Sequence, residues 1–113
     1  GNVFAVQYGQ LFTPPLSGPV LPGVTRKVIM EIAEELWIKT REDFFSPIML
    51  LGADEAFISN SVQQVVPVLK LGEQQVGSGR PGPVAGRLAR ALRELAGPGE
   101  AGNTVVADFE PAG

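Results

Sequence analysis

The sequence predicts an α+β (mixed α/β) domain in which strands pack with about three helices. Two short segments rich in β-branched and aromatic residues flank a turn signal near the start of the chain. Two longer segments carry apolar residues at helical spacing, and Pro- and Gly-rich loops separate the elements. With 113 residues, of which 44% are hydrophobic and 19% charged, the chain is long enough for one small packed domain.

The first predicted element is a β-hairpin. Residues 2–6 and 10–13 form its strands, and Tyr8-Gly9 is the turn between them. The proline-rich run over 13–19 can be neither a helix nor a central strand, so it is expected to be a rigid loop.

Three helices are predicted from apolar periodicity and from start and stop signals. The first runs from about Val24 to Leu36, the second follows Ser46-Pro47 and stops near Gly52, and the third lies between the loop over 77–83 and the stop over 97–99. The apolar stripe of the first helix is expected to be buried and its charged residues, including Arg26, to lie outside that stripe. The predicted inward residues are Val24, Val28, Ile29, Ile32, Ala33 and Leu36 in the first helix, and Val84, Leu88, Ala91, Leu92 and Leu95 in the third.

Further strands are predicted at 37–42, 56–59, 65–71 and 75–76. Pro67 within the third of these is expected at a sheet edge or a bulge, because it has no N–H to donate. Trp37 is expected in the core or at its rim. The tail from Glu100 is rich in Gly, Ala and Pro, and its short apolar run is expected to be either an edge strand or a disordered end.

The composition excludes several classes of function. The chain has no His and no Cys, which removes Ser–His–Asp and Cys–His nucleophiles, His/Cys zinc sites and disulfides. No metal site is predicted, and no catalytic residue is assigned in this chain. A net charge of −3 argues against a nucleic-acid partner. No segment approaches the roughly 20 apolar residues of a membrane span, and the absence of Cys favours a cytoplasmic location.

The strongest local signal for a binding site is the stretch over 21–26, where Gly23 precedes the first predicted helix and Thr25 lies in its first turn. Unpaired backbone N–H groups and the helix dipole favour a phosphate at such a position. A simpler interpretation, in which Thr25 only caps the helix and Gly23 only permits a turn, is favoured by the physical argument alone, since every helix has an N-terminus.

The small polar residues over 59–64 are a second candidate, because polar groups clustered at a strand end often line a pocket. Taken alone, this segment is better interpreted as an ordinary polar turn. Arg80 is expected to be a solvated loop side chain. The adjacent carboxylates Asp54-Glu55 and Glu34-Glu35 do not converge, so neither pair suggests acid–base catalysis.

Six motifs occur together, in order, over residues 1 to about 96. This combination resembles the class IV aminotransferases, the fold-type IV family of pyridoxal 5′-phosphate (PLP) enzymes that includes branched-chain aminotransferases, D-amino-acid aminotransferases and aminodeoxychorismate lyases. The resemblance implies the C-terminal large-domain fold of that family over 1–97 and a non-family tail over 98–113. The motifs are Gly1-Asn2-Val3-Phe4, Leu11-Phe12-Thr13-Pro14-Pro15, Leu21-Pro22-Gly23-Val24-Thr25-Arg26, Ala53-Asp54-Glu55-Ala56-Phe57-Ile58-Ser59-Asn60-Ser61, Val65-Val66-Pro67-Val68 and Gly77-Ser78-Gly79-Arg80-Pro81-Gly82-Pro83-Val84.

The resemblance implies a role for both candidate segments. The stretch matching Gly23, Val24 and Thr25 would hold the PLP phosphate through backbone amides and a hydroxyl. Leu21 would pack on the pyridine ring, and Ser61 would offer the phosphate a further hydroxyl.

The same resemblance implies that the backbone at Ser61 and Val62 would face the substrate carboxylate, with Asn60 in the same substrate-binding turn. Asn60-Ser61 resembles the lyases more than the Gly-Thr of branched-chain enzymes. Gln63-Gln64 likewise departs from the Ala-Glu or Ser-Glu common among transaminases.

The resemblance also implies what the chain lacks. The family's Schiff-base lysine, and the glutamate that pairs with the pyridine nitrogen, match positions upstream of Gly1, and none of Lys27, Lys39 and Lys70 aligns with that lysine. A truncated domain is therefore expected that is inactive alone and binds PLP weakly or not at all. A homodimer is expected, and an N-terminal domain could be supplied in trans. The alternative is a non-catalytic, self-associating structural or binding module with the same fold.

Overall fold

The computed structural model describes residues 1–16, 23–60, 62, 64–96 and 107–109, and these form a mixed α+β fold of one sheet and three helices. The strands are β1 (Asn2–Gln7), β2 (Gln10–Thr13), β3 (Thr40–Glu42), β4 (Glu55–Ser59), β5 (Val65–Leu71), β6 (Gln74–Gln75) and β7 (Ala107–Phe109). The helices are α1 (Val24–Glu35), α2 (Pro47–Leu51) and α3 (Pro83–Ala96). The strand order is β3-β2-β1-β4-β5-β6, and β7 also pairs with β5.

The predicted hairpin is confirmed. β1 and β2 pair antiparallel with Ala5 opposite Phe12, and Tyr8 and Gly9 both have positive φ, of 52° and 74°. Two positive φ values in succession are typical of the tight two-residue turn whose twist matches that of the flanking strands.

The unit β2-α1-β3 crosses over the sheet. β2 and β3 are parallel neighbours, and parallel neighbours need a long connection, which α1 supplies here. The remaining pairs β1·β4, β4·β5 and β5·β6 are antiparallel. The first turn of α1 is thereby carried back to the end of the sheet where β1 begins, because Gly23 lies against Asn2.

The main core lies between α1, α3 and one face of the sheet. Phe4 and Phe57 face each other across β1 and β4, both fully buried, with their rings stacked at a centroid distance of 4.9 Å. A smaller apolar cluster lies elsewhere on the sheet and includes side chains of α2. The main cluster contains Phe4, Val6, Leu11, Ile29, Ile32, Ala33, Ile38, Phe57, Val65, Ala85, Leu88, Ala89 and Leu92.

Two predicted inward residues and one predicted outward residue were wrong. Val24 is 71% exposed and Leu95 68% exposed, whereas Arg26 is only 6% exposed. The buried stripe of α1 is rotated toward Arg26 and away from Val24, because Arg26 has tertiary partners. Its Nη2 donates to Glu42 Oε1 at 2.9 Å and to the Pro14 carbonyl at 3.2 Å, and such partners are what permit a buried charge.

The strand predicted at 37–42 is only Thr40–Glu42, and Trp37 is 95% exposed, in neither the core nor its rim. α1 ends instead in a Schellman motif, in which Ile38 N–H donates to Ala33 O at 2.8 Å and Trp37 N–H to Glu34 O at 3.1 Å. This motif needs positive φ at Trp37, which has φ 62°. Glycine is the usual residue at such a position.

Trp37→Gly is therefore expected to stabilise the domain by about 1 kcal/mol, because it relieves the left-handed backbone and removes a side chain with almost no packing. The matched control is Trp37→Ala, which removes the same indole but keeps the unfavourable φ, and should give no gain. Urea unfolding of the three proteins measures the difference. A stability gain with alanine equal to that with glycine would contradict the backbone explanation.

β5 follows its predicted bounds. Pro67 is paired with Phe57 of β4. On the other side of β5, strands β6 and β7 pair only from Val68 onward. Among the described residues Pro67 therefore has a strand partner on one side, as expected of a residue without an N–H. The predicted return strand at 75–76 lies one residue earlier, at Gln74–Gln75. In the tail, the described residues 107–109 form β7, parallel to β5. Among the helices described here, none combines the length and apolar character that crossing a membrane requires.

Candidate functional site

The N-terminus of α1 has no side-chain cap among the described residues. Gly23 is the N-cap in extended conformation (φ −68°, ψ 129°), no side chain accepts a bond there, and the first turn holds no acidic residue. Helix geometry leaves the first amides, those of Val24, Thr25 and Arg26, without intrahelical acceptors. No described side chain therefore serves as an acceptor for the amides at this helix end.

The N-terminus of α3 differs, because Glu55 supplies an internal anion. The Glu55 carboxylate accepts Val84 N–H at 3.0 Å through Oε2 and Ala85 N–H at 2.9 Å through Oε1. Glu55 is 7% exposed, and a side chain at Gly82 would collide with it. A carboxylate on helix amides is thus built into α3, whereas no described residue supplies one to α1.

Arg26 adds a buried positive charge to the first turn of α1. Its Nη2 has the two partners described above, while its Nε is buried with no hydrogen-bond partner among the described residues. An unpaired buried donor costs free energy. A guanidinium in the first turn of a helix that no described side chain caps fits an anionic group such as phosphate.

The predicted phosphate residues differ in exposure. Val24 is 71% exposed, whereas Thr25 is only 5% exposed. The two other predicted residues of the cofactor site, Leu21 and Ser61, lie outside the described residues.

Asn2 links the two candidate segments. A Cβ on Gly23 would lie 2.7 Å from Asn2 Oδ1, so Gly23 and Asn2 are in close approach. Asn2 also pairs with Ser59, whose hydroxyl donates to the Asn2 carbonyl at 3.5 Å. Because Asn60 follows Ser59 directly, the α1 N-terminus and the β4–β5 turn lie at one end of the sheet. The sequence had no signal that marked Asn2 as this link.

The β4–β5 turn is held by the side chain of Asn60. Its Oδ1 accepts the N–H of Val62 at 3.1 Å and of Gln64 at 3.2 Å, and its Nδ2 donates to Gln64 Oε1 at 3.1 Å. The Asn60 backbone N–H donates to the Gln64 carbonyl at 3.2 Å. The turn thus joins Asn60 to Val62 and Gln64 through hydrogen bonds that the sequence did not reveal.

A groove of about 730 Å³ lies between α1 and β3. It reaches the candidate site only at Gly23 and Arg26 and continues to Trp37 at the other end of α1. Asn60 and Val62 do not line it. The groove therefore borders the candidate site, which is defined by the α1 N-terminus and the β4–β5 turn.

Comparison with curated proteins identifies relatives over most of the chain. A family model described as amino-transferase class IV matches residues 1–71. The branched-chain-amino-acid aminotransferase of Escherichia coli K12 is 44% identical over 91 residues, which cover 80% of this chain and 29% of that protein. The D-alanine aminotransferase of Staphylococcus haemolyticus is 40% identical over 93 residues, 82% of this chain and 33% of that protein. The chain spans about a third of the length of these relatives.

Solved structures agree with this result. The Escherichia coli branched-chain amino acid aminotransferase superposes with a TM-score of 0.78 at 44% identity, covering 83% of this chain and 32% of that one. An aminotransferase from Brucella abortus bound to PLP superposes with a TM-score of 0.69 at 32% identity, covering 80% and 31%. The likeness in fold and sequence, together with the family match over more than half of its residues, shows that this chain belongs to the class IV aminotransferase family.

Proposed function

We propose that this chain is the cofactor-phosphate part of a PLP-dependent class IV aminotransferase- or aminodeoxychorismate-lyase-like protein. The observation that carries the proposal is the α1 N-terminus, which has no described side-chain cap and stands beside the buried Arg26 guanidinium. The family supplies the ligand that fits this position, a phosphate ester. The family domain would span 1–97, with 98–113 a tail outside it. A cytoplasmic location is part of the proposal, on the absence of Cys.

The residues of this chain would bind and orient the phosphate. The amides of Gly23, Val24 and Thr25 would donate to its oxygens, the Thr25 hydroxyl would add a further donor, and the Arg26 charge would stabilise the bound anion. Leu21 would pack on the pyridine ring and Ser61 would donate a second hydroxyl. When bound, PLP supplies an electron sink for reactions at the α-carbon of an amino acid.

The β4–β5 turn would receive the substrate carboxylate. The backbone at Ser61 and Val62 would face it, with Asn60 in the same turn. Its position at the same end of the sheet as the α1 N-terminus supports this assignment, since cofactor and substrate have to be neighbours. The preference for lyases over branched-chain enzymes that Asn60-Ser61 suggested stays a prediction, since the relatives described above are aminotransferases.

The Schiff-base lysine is proposed to lie outside this chain. All three lysines, Lys27, Lys39 and Lys70, are exposed, whereas an amine that forms a bond with the cofactor has to be held against it. The 113 residues alone are therefore expected to bind the phosphate without catalysing transamination.

A homodimer is also proposed. Phe44 and Ile48 are 72% and 78% exposed, and α2 contains no buried residue. Exposed apolar side chains of this kind favour association. The same observation supports the second candidate function, a non-catalytic self-associating structural or binding module with this fold.

The test uses pyridoxamine 5′-phosphate, which has no aldehyde and cannot react with exposed lysines, and pyridoxamine, which lacks the phosphate. Isothermal titration of the 113-residue chain should detect binding of the first and not of the second. Gly23→Ala should weaken that binding about tenfold, because the new methyl group displaces Asn2 Oδ1 and crowds the first amides; tenfold corresponds to about 1.4 kcal/mol.

The matched control is Gly86→Ala, since a methyl group there meets open space on α3. It should leave the affinity unchanged. Equal affinity for pyridoxamine and its phosphate, or equal effects of the two alanines, would reject the phosphate site. A dimer that binds neither compound would favour the structural module.

A further inference from the structure

The amide of Val62 is already occupied in this chain. Its N–H donates to Asn60 Oδ1 at 3.1 Å, and the N–H of Gln64 donates to the same oxygen at 3.2 Å. One side-chain oxygen thus satisfies two backbone donors of the turn. The Asn60 amide nitrogen is held in turn by Gln64 Oε1 at 3.1 Å, which fixes the side-chain orientation.

A backbone N–H has one hydrogen and forms one good hydrogen bond at a time. A carboxylate that approaches Val62 therefore has to displace Asn60 Oδ1 or share a weakened bond with it. Val62 is 67% exposed, and among the described residues the acceptor of its N–H is the Asn60 side chain.

We propose that Asn60 is a specificity-determining residue that competes with the substrate carboxylate for the Val62 amide and so lowers the affinity of the site for carboxylates. This inference rests on the proposed function, in which the backbone at Val62 faces that carboxylate. It goes beyond that function because it assigns to the Asn60 side chain a role opposed to binding.

The size of the effect follows from the strength of one hydrogen bond. If the closed turn is favoured by a typical net hydrogen bond, the amide is available only about one fifth of the time, and the apparent affinity falls to that fraction of its full value. Freeing the amide should therefore raise carboxylate affinity about fivefold, which corresponds to about 1 kcal/mol.

Asn60→Ala is the variant that frees the amide. Among the described non-glycine residues, Asn60 is not one of those with positive φ, so alanine suits its backbone. Asn60→Asp is the opposite control, because it keeps an acceptor at the same atom, strengthens it with a charge and repels an incoming carboxylate.

The experiment titrates 4-methylvalerate into the ¹⁵N-labelled 113-residue chain and follows the Val62 and Gln64 amide shifts. Asn60→Ala should bind about fivefold more tightly than the unsubstituted chain, and Asn60→Asp more weakly. The neutral amide of the same acid should cause no shift. Hydrogen exchange of both amides should be faster in Asn60→Ala, which checks that Oδ1 holds them.

Equal or weaker binding by Asn60→Ala, no binding by any variant, or unchanged exchange of the two amides would overturn the inference. Shifts of Val24 and Thr25 on addition of pyridoxamine 5′-phosphate, measured on the same samples, test the phosphate site separately. If those shifts occur while Asn60→Ala gains no affinity, the role of Asn60 fails and the proposed function stands. If they are absent, the proposed function fails on its own measurement.

Discussion

Gly77→Ala is expected to destabilise the domain by about 3 kcal/mol. Gly77 has φ 55°, and a Cβ there would collide with the carbonyl oxygen of Asp54. Asp54 cannot easily retreat, because its N–H donates to Val6 O at 2.8 Å and its carboxylate accepts Tyr8 N–H at 3.0 Å. The cost combines the left-handed conformation of a non-glycine residue with overpacking against fixed backbone.

Gly72→Ala is the matched control for this prediction. Gly72 has nearly the same conformation, φ 61°, but a Cβ there meets nothing within 4 Å. Its substitution should cost only the conformational part, about 1 kcal/mol. Urea unfolding of both variants separates the cost of the left-handed backbone from the cost of the collision with Asp54. Equal losses of stability in the two variants would show that the collision contributes nothing.

Phe4→Ala is expected to cost about 4 kcal/mol, a large share of the 5–15 kcal/mol that stabilises a typical domain. Phe4 is fully buried and stacks on Phe57 at a centroid distance of 4.9 Å. Its truncation leaves a cavity between the sheet and the helices and removes the aromatic contact, whose coupling with Phe57 should be about 1 kcal/mol in a double-mutant cycle.

Phe44→Ala is the control for burial, since the same chemical change removes a side chain that is 72% exposed. It should alter the free energy of unfolding of the monomer by less than about 0.5 kcal/mol. A Phe4→Ala loss as small as that of Phe44→Ala would contradict the core described here.

The sequence was most informative where structure is local. The hairpin turn at Tyr8-Gly9, the start of α2 at Pro47 and the bounds of β5 each follow from residues that restrict their own backbone. These elements were predicted within one or two residues.

The sequence was least informative where a contact with a residue distant in the chain determines the burial of a side chain. Arg26 is buried because Glu42 and the Pro14 carbonyl accept hydrogen bonds from its Nη2. The apolar periodicity along α1 gives no sign of these partners. Trp37 occupies the left-handed position that ends α1, although nothing in its residue type favours it there. Tertiary contacts override the helical pattern at Arg26, whereas nothing in the structure explains the tryptophan at position 37.

The candidate site shows the same division. Local composition marked Gly23 and the turn at Asn60 as candidates. Their proximity to each other was implied only by the family resemblance. The link through Asn2, and the Glu55 carboxylate that caps α3 from 30 residues away, depend on strand register and helix placement. The family resemblance assigned Asn60 to the substrate turn, but the hydrogen bond that its Oδ1 accepts from the Val62 amide is seen only in the structure.

The central claim is that the α1 N-terminus, and not that of α3, is the anion site of this fold. The most direct measurement follows backbone amide shifts of the ¹⁵N-labelled chain during titration with pyridoxamine 5′-phosphate. We expect the largest shifts at Val24 and Thr25, with Val84 and Ala85 unchanged because Glu55 already occupies their amides. Shifts that are largest at Val84 and Ala85, or that appear equally with pyridoxamine, would contradict the claim.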